Sequence, residues 1–216
     1  QCYPQFYWQQ RNGDEELAAL GAVAHFSSLA IASQFLREQN AAGDTRICGL
    51  NAFNPEQGSL FLPRLLWRRS AGNATLRLQL WSDRSLQDDA FAARDFLQQL
   101  QPARPIRPLA VQVERETHQP QQAEWLRLVR RATETIAGGD FEKVVLARAT
   151  DLQFTQRINP VALMAASRAL NLHCYHFCMV FDAGNAFLGS TPERLWRRRG
   201  RLLRTEALAG TVASHA

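Results

Sequence analysis

Short strand-forming runs, separated by turn residues and by only a few amphipathic stretches, are the feature that most constrains how this chain folds. Alternating and β-branched runs predict strands, and Asn or Gly pairs between two runs predict hairpin turns. A serine ahead of an apolar-periodic stretch predicts a helix start, as Ser28 (or Ser27) and Ser85 do here. In the first half the predicted strands are 3–9, 17–26, 47–53, 60–69 and 74–81, and the predicted helices are 29–39 and 85–100.

The second half continues this alternation with clearer breaks between the elements. The glycine pair at 138–139 ends one predicted helix, and Pro160 lies in the first turn of another. Runs of strands with interspersed helices predict an α+β fold, with mixed or antiparallel sheets flanked by helices. The predicted strands are 109–114, 143–154, 174–181, 186–189, 194–199 and 201–205, and the predicted helices are 121–137 and 160–170.

The bulk properties bound the architecture and the location of the chain. A length of 216 residues suits one large domain or two small ones, and the three prolines in 101–108 favour a division into 1–108 and 109–216. No apolar run is long enough to span a bilayer, and residues 1–10 lack the features of a signal peptide. The four cysteines show no disulfide-scaffold or CxxC spacing, which favours a reducing, cytoplasmic location.

Lys143 is the only lysine among 25 basic residues in a chain of net charge +5. Where arginine serves for every other cation, a retained lysine suggests a need for an amine that can lose its proton. Chance retention needs no special cause, and composition alone favours chance. The surroundings of Lys143 change that interpretation.

The predicted topology brings three distant segments to one edge of a sheet. The strand, helix and strand between 143 and 181 form a β-α-β unit, whose two strands run parallel if they share a sheet. Lys143 then lies at the starting edge, and the next hairpin delivers Glu193 to the same edge. The last hairpin brings 206–211 there as well. An amine that faces a carboxyl across a cleft is a plausible pair of general base and general acid.

Each of these segments alone has an ordinary explanation. Lys143 can be a solvated strand end, and 209–211 can be a simple turn. Glu193 can be an exposed turn residue that pairs with Arg194. The prediction therefore depends on the three segments taken together.

In this order, three stretches resemble the chorismate-utilising enzymes, which comprise isochorismate, salicylate, anthranilate and aminodeoxychorismate synthases. They are KVVLAR at 143–148, GSTPER at 189–194 and TEALAGT at 205–211. The N-terminal half, with YPQFYW at 3–8 and LNAF at 50–53, looks like the isochorismate synthases of menaquinone biosynthesis. The resemblance implies the anthranilate synthase component I-like fold. Residues 1–108 would then be the N-terminal part of the scaffold, and 109–216 the first half of the chorismate-binding catalytic region.

Two positions help to choose the reaction within this family. Where this chain has Ala209, aminodeoxychorismate synthases have a lysine nucleophile. Where it has Lys143, anthranilate synthases, which use ammonia, typically have a glutamine. The resemblance therefore implies water as the nucleophile, which leaves isochorismate synthase, an isomerase, and the alternative of a salicylate synthase that goes on to eliminate pyruvate. The N-terminal resemblance favours the isochorismate synthase.

The resemblance also implies roles for individual residues. Lys143, as the neutral amine, takes a proton from the water that attacks C2 of chorismate, and Glu193 gives a proton to the departing C4 hydroxyl. Ala209, Gly210 and Thr211 lie against the substrate, where backbone amides can approach an anion. Family members need magnesium. Because the sequence stops soon after Thr211, we expect its ligands in a missing C-terminal part, name none here, and expect the fragment alone to be inactive.

Two further features suggest other functions. The basic run 197–201, next to Trp196, is compatible with nucleic-acid binding, but it reads as a hairpin tip with solvated charges. Cys174, His176 and Cys178 share one face of a predicted strand, but their spacing matches no common zinc pattern. A mostly buried strand with one hydrogen-bonded histidine is the favoured interpretation. We therefore expect chorismate as a small-molecule partner, and neither nucleic acid nor a membrane.

Overall fold

The computed structural model describes residues 2–39, 45–54 and 56–208. The strands are β1 Gln5–Gln9, β2 Glu15–Phe26, β3 Cys48–Asn51, β4 Gly58–Ser70, β5 Asn73–Leu78, β6 Val113–Gln119, β7 Ala149–Phe154, β8 Tyr175–Val180, β9 Ala186–Thr191, β10 Arg197–Arg199 and β11 Leu202–Arg204. The helices are α1 Leu29–Glu38, α2 Leu86–Gln98, α3 Gln122–Ala137 and α4 Pro160–Leu170. Within the described ranges, no helix has the length and apolar character needed to cross a membrane.

The chain divides into two compact units, Gln1–Arg107 with Pro160–Ala216, and Pro108–Asn159. The first unit contains a seven-stranded sheet in the order β3-β4-β2-β1-β8-β9, with β5 also paired to β4. Every pairing in this sheet is antiparallel, which is one of the two arrangements, mixed or antiparallel, that the sequence predicts. Because β1 lies between β2 and β8, the N-terminal strand runs beside the hairpin that leads to Glu193.

Apolar side chains from β2, β3, β4 and β8 form the core of the first unit. Phe61, Leu66 and Met179 are almost fully buried, and burial of one such side chain contributes about 1.5–3 kcal/mol to folding. Met164 on α4 packs against Cys178 and covers the β8 region. These contacts make β8 a rigid support for the strand and turn that follow it.

Local signals in the first unit are read correctly from the sequence. The Ser28 hydroxyl accepts a hydrogen bond from the Ile31 backbone N–H at 3.3 Å, and the Ser85 hydroxyl accepts one from Gln87 at 3.2 Å. Both predicted helix starts are therefore confirmed, since these hydroxyls satisfy otherwise unpaired N–H groups. Gly13, in the predicted turn before β2, has a φ of 72°, a conformation that favours glycine.

A buried ion pair fastens α2 to the sheet. Both terminal nitrogens of Arg64 on β4 donate to the carboxylate of Asp89 on α2, at 2.7 and 2.5 Å. Arg64 also donates to the Gln79 carbonyl at 2.9 Å, and Asp89 accepts from the Trp81 backbone N–H at 2.8 Å. The hydrogen bonds from Arg64 hold the pKa of Asp89 below its usual value, although burial opposes this. The network couples the helix to β4 and to the segment that follows β5.

The second unit has little core of its own. β6 and β7 pair antiparallel as a separate two-stranded sheet, and α3 ends, as predicted, at Gly138. The structure describes every residue of 108–159, and none of them is buried. Since an isolated two-stranded sheet is marginally stable, we expect these residues to have low stability by themselves. The division of the chain into 1–108 and 109–216, as portions of one larger domain, stays a prediction.

Three predictions about this unit are wrong. The strand predicted at 109–114 is displaced to β6, and the long strand predicted at 143–154 is reduced to β7. β7 pairs with β6 and not with β8, so the predicted parallel β-α-β unit is absent from the described residues. Val145 is 81% exposed, in a run that has strand propensity but pairs with no strand within the described ranges. Residues with strand propensity form a strand when neighbouring strands pack against them, and without a paired strand the run around Val145 is irregular.

Gly49 on β3 is required by both its conformation and its surroundings. Its φ is +144°, and an added Cβ would lie 2.1 Å from the Ser59 carbonyl oxygen on β4. We expect Gly49→Ala to lower the free energy of unfolding by about 1–3 kcal/mol more than strain at a positive φ alone, because the added Cβ would clash with the Ser59 carbonyl oxygen. Gly72→Ala is the matched control, since Gly72 also has a positive φ but no atom lies within 4 Å of its added Cβ. Equal urea midpoints for the two variants would contradict the proposed clash.

Candidate functional site

Glu193 lies two residues beyond the end of β9, in the turn that leads to β10. β9 approaches β8 closely, because Gly189 is opposite Phe177 and an added Cβ would lie 2.6 Å from the phenyl ring. The Glu193 backbone N–H donates to the Thr191 hydroxyl at 3.1 Å. Its side chain is exposed, and within the described part of the chain no hydrogen bond or ion pair engages the carboxylate. The role of Glu193 at a ligand site therefore stays a prediction.

A cavity of about 350 Å³ opens beside Glu193 within the first unit. This volume is in the range of small-molecule sites, which combine apolar walls with a few polar groups. The Trp8 and Tyr175 rings are stacked with their centroids 6.2 Å apart and form one wall. Arg194 and Arg197 line the cavity together with Glu15 and Glu193, so both positive and negative groups face a ligand there.

Three charged side chains and one tyrosine surround the backbone of the Glu193 turn. The Glu206 carboxylate accepts from both terminal nitrogens of Arg11, at 3.1 and 3.2 Å, and also from Arg194. Arg194 donates in addition to the Tyr175 hydroxyl at 3.0 Å. The sequence alone predicts no catalytic or binding role for these four residues. The signal that pairs Arg11 with Glu206 is not local, since 195 positions separate them.

The strand that carries Tyr175 also carries a hydrogen-bonded histidine. His176 Nδ1 lies 2.8 Å from the Ser190 hydroxyl, which lies 2.7 Å from the Ser167 hydroxyl on α4. Burial, helped by the nearby Arg168 charge, lowers the pKa of His176. The favoured interpretation of 174–178 as a mostly buried strand with a satisfied histidine is confirmed.

Lys143 lies in the second unit, in the irregular segment before β7, and its side chain is exposed. Glu193 belongs to the first unit. The shared parallel sheet that the sequence predicts for them is not formed in the described residues. The pairing of Lys143 with Glu193 therefore stays a prediction that depends on some other arrangement.

The predicted substrate-binding residues Ala209, Gly210 and Thr211 lie outside the described residues. The described ranges contain no cluster of three or more histidine, cysteine, aspartate or glutamate side chains that could hold a metal ion.

The basic run lies in a small hairpin, as the sequence predicts. β10 and β11 pair with Arg197 opposite Arg204, and Gly200 between them has a φ of 58°. Arg198 and Arg199 are exposed.

The antiparallel sheet places the exposed Glu193 beside a cavity lined by aromatic and charged side chains. The family model for chorismate binding enzyme matches residues 1–216, and the chain belongs to this family. Over 215 residues it is 59% identical to the isochorismate synthase MenF of Escherichia coli (strain K12), covering 100% of this chain and 50% of that protein. MenF of Pasteurella multocida (strain Pm70) is 34% identical over 213 residues, covering 98% of this chain and 48% of that protein. The chain thus spans about half the length of the curated relatives it matches.

Comparison with solved structures agrees with this assignment. The structure of MenF, the menaquinone-specific isochorismate synthase from Escherichia coli, matches with a TM-score of 0.89 and 58% identity. The match covers 95% of this chain and 48% of that chain. DhbC from Bacillus anthracis matches with a TM-score of 0.58 at 18% identity, which shows a shared fold alone. The predicted α+β fold of the chorismate-utilising enzymes is confirmed.

Proposed function

We propose that this chain belongs to an isochorismate synthase that converts chorismate to isochorismate for menaquinone biosynthesis. The observation that carries the proposal is the 59% identity to Escherichia coli MenF along the whole chain. The reaction is an isomerisation: water adds its oxygen at C2, the two ring double bonds shift, and the C4 hydroxyl departs. Since the chain spans about half of its relatives, the activity is proposed for the full-length enzyme, and we expect the 216 residues alone to be inactive.

The proposed proton transfers involve Lys143 and Glu193. The neutral Lys143 amine accepts a proton from the attacking water, and Glu193 donates one to the C4 oxygen as its bond to carbon breaks. Protons and hydroxyl groups therefore balance over the reaction. Ala209, Gly210 and Thr211 are proposed to lie against the substrate, where the small Ala209 leaves room for water. The exposed Glu193 carboxyl, beside a cavity that Arg194 and Arg197 also line, supports its part of this scheme.

Magnesium is proposed as the cofactor on the strength of the family resemblance. When bound, it would offset negative charge on the substrate's ring carboxylate. The described residues do not supply a set of ligands for it, and we assign none of them to the metal. Chorismate is the proposed small-molecule partner. A cytoplasmic location without nucleic-acid or membrane partners is also proposed, supported by four free cysteines.

The products separate this function from its nearest rival. Incubated with chorismate and magnesium, the full-length enzyme is expected to yield isochorismate without salicylate or pyruvate, as measured by chromatography. A salicylate synthase would yield salicylate and pyruvate in equal amounts, because it eliminates the side chain after isomerisation. That outcome would replace the proposal with the alternative. Absence of any chorismate-dependent product from the full-length enzyme would refute both.

A further inference from the structure

We infer that Glu206 is a positioning residue, which holds the proposed acid Glu193 in place through Arg11 and Arg194. The inference rests on the proposed function, because it gives Glu206 a part in the same reaction. Glu193 has only its backbone N–H bonded within the described residues, so other groups must determine where its carboxyl points. The Pro192 carbonyl, on one side of it, accepts a hydrogen bond from Arg11, which also binds Glu206. Arg194, on the other side, binds Glu206 directly.

Arg11 holds the residue before Glu193. Its Nη1 donates to the Pro192 carbonyl at 2.9 Å and to one Glu206 oxygen at 3.1 Å, while Nη2 donates to the other oxygen at 3.2 Å. This is the two-pronged geometry in which a guanidinium binds a carboxylate most specifically. Without Glu206, the Arg11 guanidinium would have a single carbonyl to fix its direction.

Arg194 holds the residue after Glu193. One terminal nitrogen donates to the Tyr175 hydroxyl at 3.0 Å and the other to Glu206. The Arg194 side chain is only 12% exposed, so its charge is held away from most of the solvent. Loss of the carboxylate partner from such a site is costly for the remaining cation.

Glu206 also separates two positive charges. The guanidinium carbons of Arg11 and Arg194 lie 5.5 and 5.9 Å from the centroid of the same Tyr175 ring. The carboxylate binds both cations and offsets their mutual repulsion. Neutralising it is therefore expected to move both guanidinium groups and, with them, the backbone on each side of Glu193.

A role in positioning agrees with the way Glu206 is bonded. Both of its oxygens already accept hydrogen bonds from arginine, so the carboxylate serves as an ion-pair partner for Arg11 and Arg194. Glu206 also lies three residues before Ala209, at the start of the segment proposed to contact chorismate. One side chain thus links the acid turn to that segment.

The test is Glu206→Gln in the full-length enzyme, assayed by isochorismate formation. A misplaced acid is expected to lower kcat by about 10- to 100-fold, with KM changed by less than about threefold. Glu16→Gln is the matched control, because Glu16 binds Arg69 and Tyr7 elsewhere on the same sheet. Its kcat is expected to stay within about threefold of wild type.

Two further variants show whether Glu206 acts through Glu193. In a Glu193→Gln background, adding Glu206→Gln should lower the residual activity by less than about threefold, because the group that it positions is already lost. Glu206→Asp keeps the charge and should recover at least about tenfold in kcat over Glu206→Gln. It also serves if Glu206→Gln fails to fold, in which case a wild-type pH–rate profile for a folded, slow Glu206→Asp enzyme would overturn the inference. Full activity of Glu206→Gln, or a full additional loss in the Glu193→Gln background, would overturn it too. If wild type makes no isochorismate, the proposed function fails instead.

Discussion

Replacing Lys143 by alanine or Glu193 by glutamine in the full-length enzyme is expected to lower kcat by about 10²- to 10⁴-fold, with the fold intact. Lys143→Ala removes the proposed base, so water must attack without losing its proton to the enzyme. Glu193→Gln keeps the size of the side chain but has no acidic proton for the departing hydroxyl. Both side chains are exposed, so neither substitution leaves a cavity in the core. Isochorismate formation measures the effect, and circular dichroism verifies the fold.

Two substitutions of exposed glutamates serve as controls for this prediction. Glu142→Ala changes the exposed residue next to Lys143, and Glu56→Gln changes an exposed glutamate in the loop before β4. Both are expected to leave kcat within about threefold of wild type, as is usual for exposed positions away from a site. Near-wild-type turnover by Lys143→Ala or Glu193→Gln would remove that residue from the mechanism. If the controls were equally slow, the loss would reflect general damage to the enzyme.

Asp89→Ala is expected to have the largest effect on stability, about 3–5 kcal/mol, because it leaves the Arg64 guanidinium buried without its carboxylate. It also removes the acceptor for the Trp81 backbone N–H. The matched control is Asp95→Ala on the same helix, since Asp95 pairs with Arg94 in an exposed salt bridge. That pair is expected to contribute about 0–1 kcal/mol. Urea unfolding followed by tryptophan fluorescence compares the two variants.

The same ion pair gives a pH dependence whose sign follows from the lowered pKa of Asp89. Its contribution is fully present above the unfolded-state pKa, near 3.9, and is lost as the pH falls through the lower folded-state value. Asp89→Ala should therefore narrow the stability gap between neutral and acidic pH. Equal losses of stability for Asp89→Ala and Asp95→Ala would show that the buried pair does not carry this energy.

Much of the first unit is predictable because its signals are local. Ser28 and Ser85 satisfy nearby N–H groups, and Gly13 supplies a backbone conformation that other residues avoid. Such features act within a few residues, so the order of residues is enough to locate them. The strands and helices of this unit follow the predicted order and lie close to the predicted bounds.

The rest depends on partners that the sequence does not name. The apolar run after Lys143 has the composition of a strand, but strand formation needs a neighbour with free hydrogen-bonding groups. The prediction assumed that the strand at 174–181 is this neighbour, in a parallel sheet. In the structure β7 pairs with β6 instead. The contact of Arg11 with Glu206 is also unpredictable from local sequence, because the two residues are 195 positions apart and meet through the tertiary fold.

The central place of β1 also bears on how the chain is made. One edge of β1 pairs with β2, which follows it closely in sequence, but its other edge pairs with β8, whose first residue is Tyr175. At ordinary rates of synthesis this edge waits for about 10–30 s before its partner is available. An open strand edge invites pairing with other chains. Slower translation between the two strands should therefore raise the aggregated fraction of newly made enzyme.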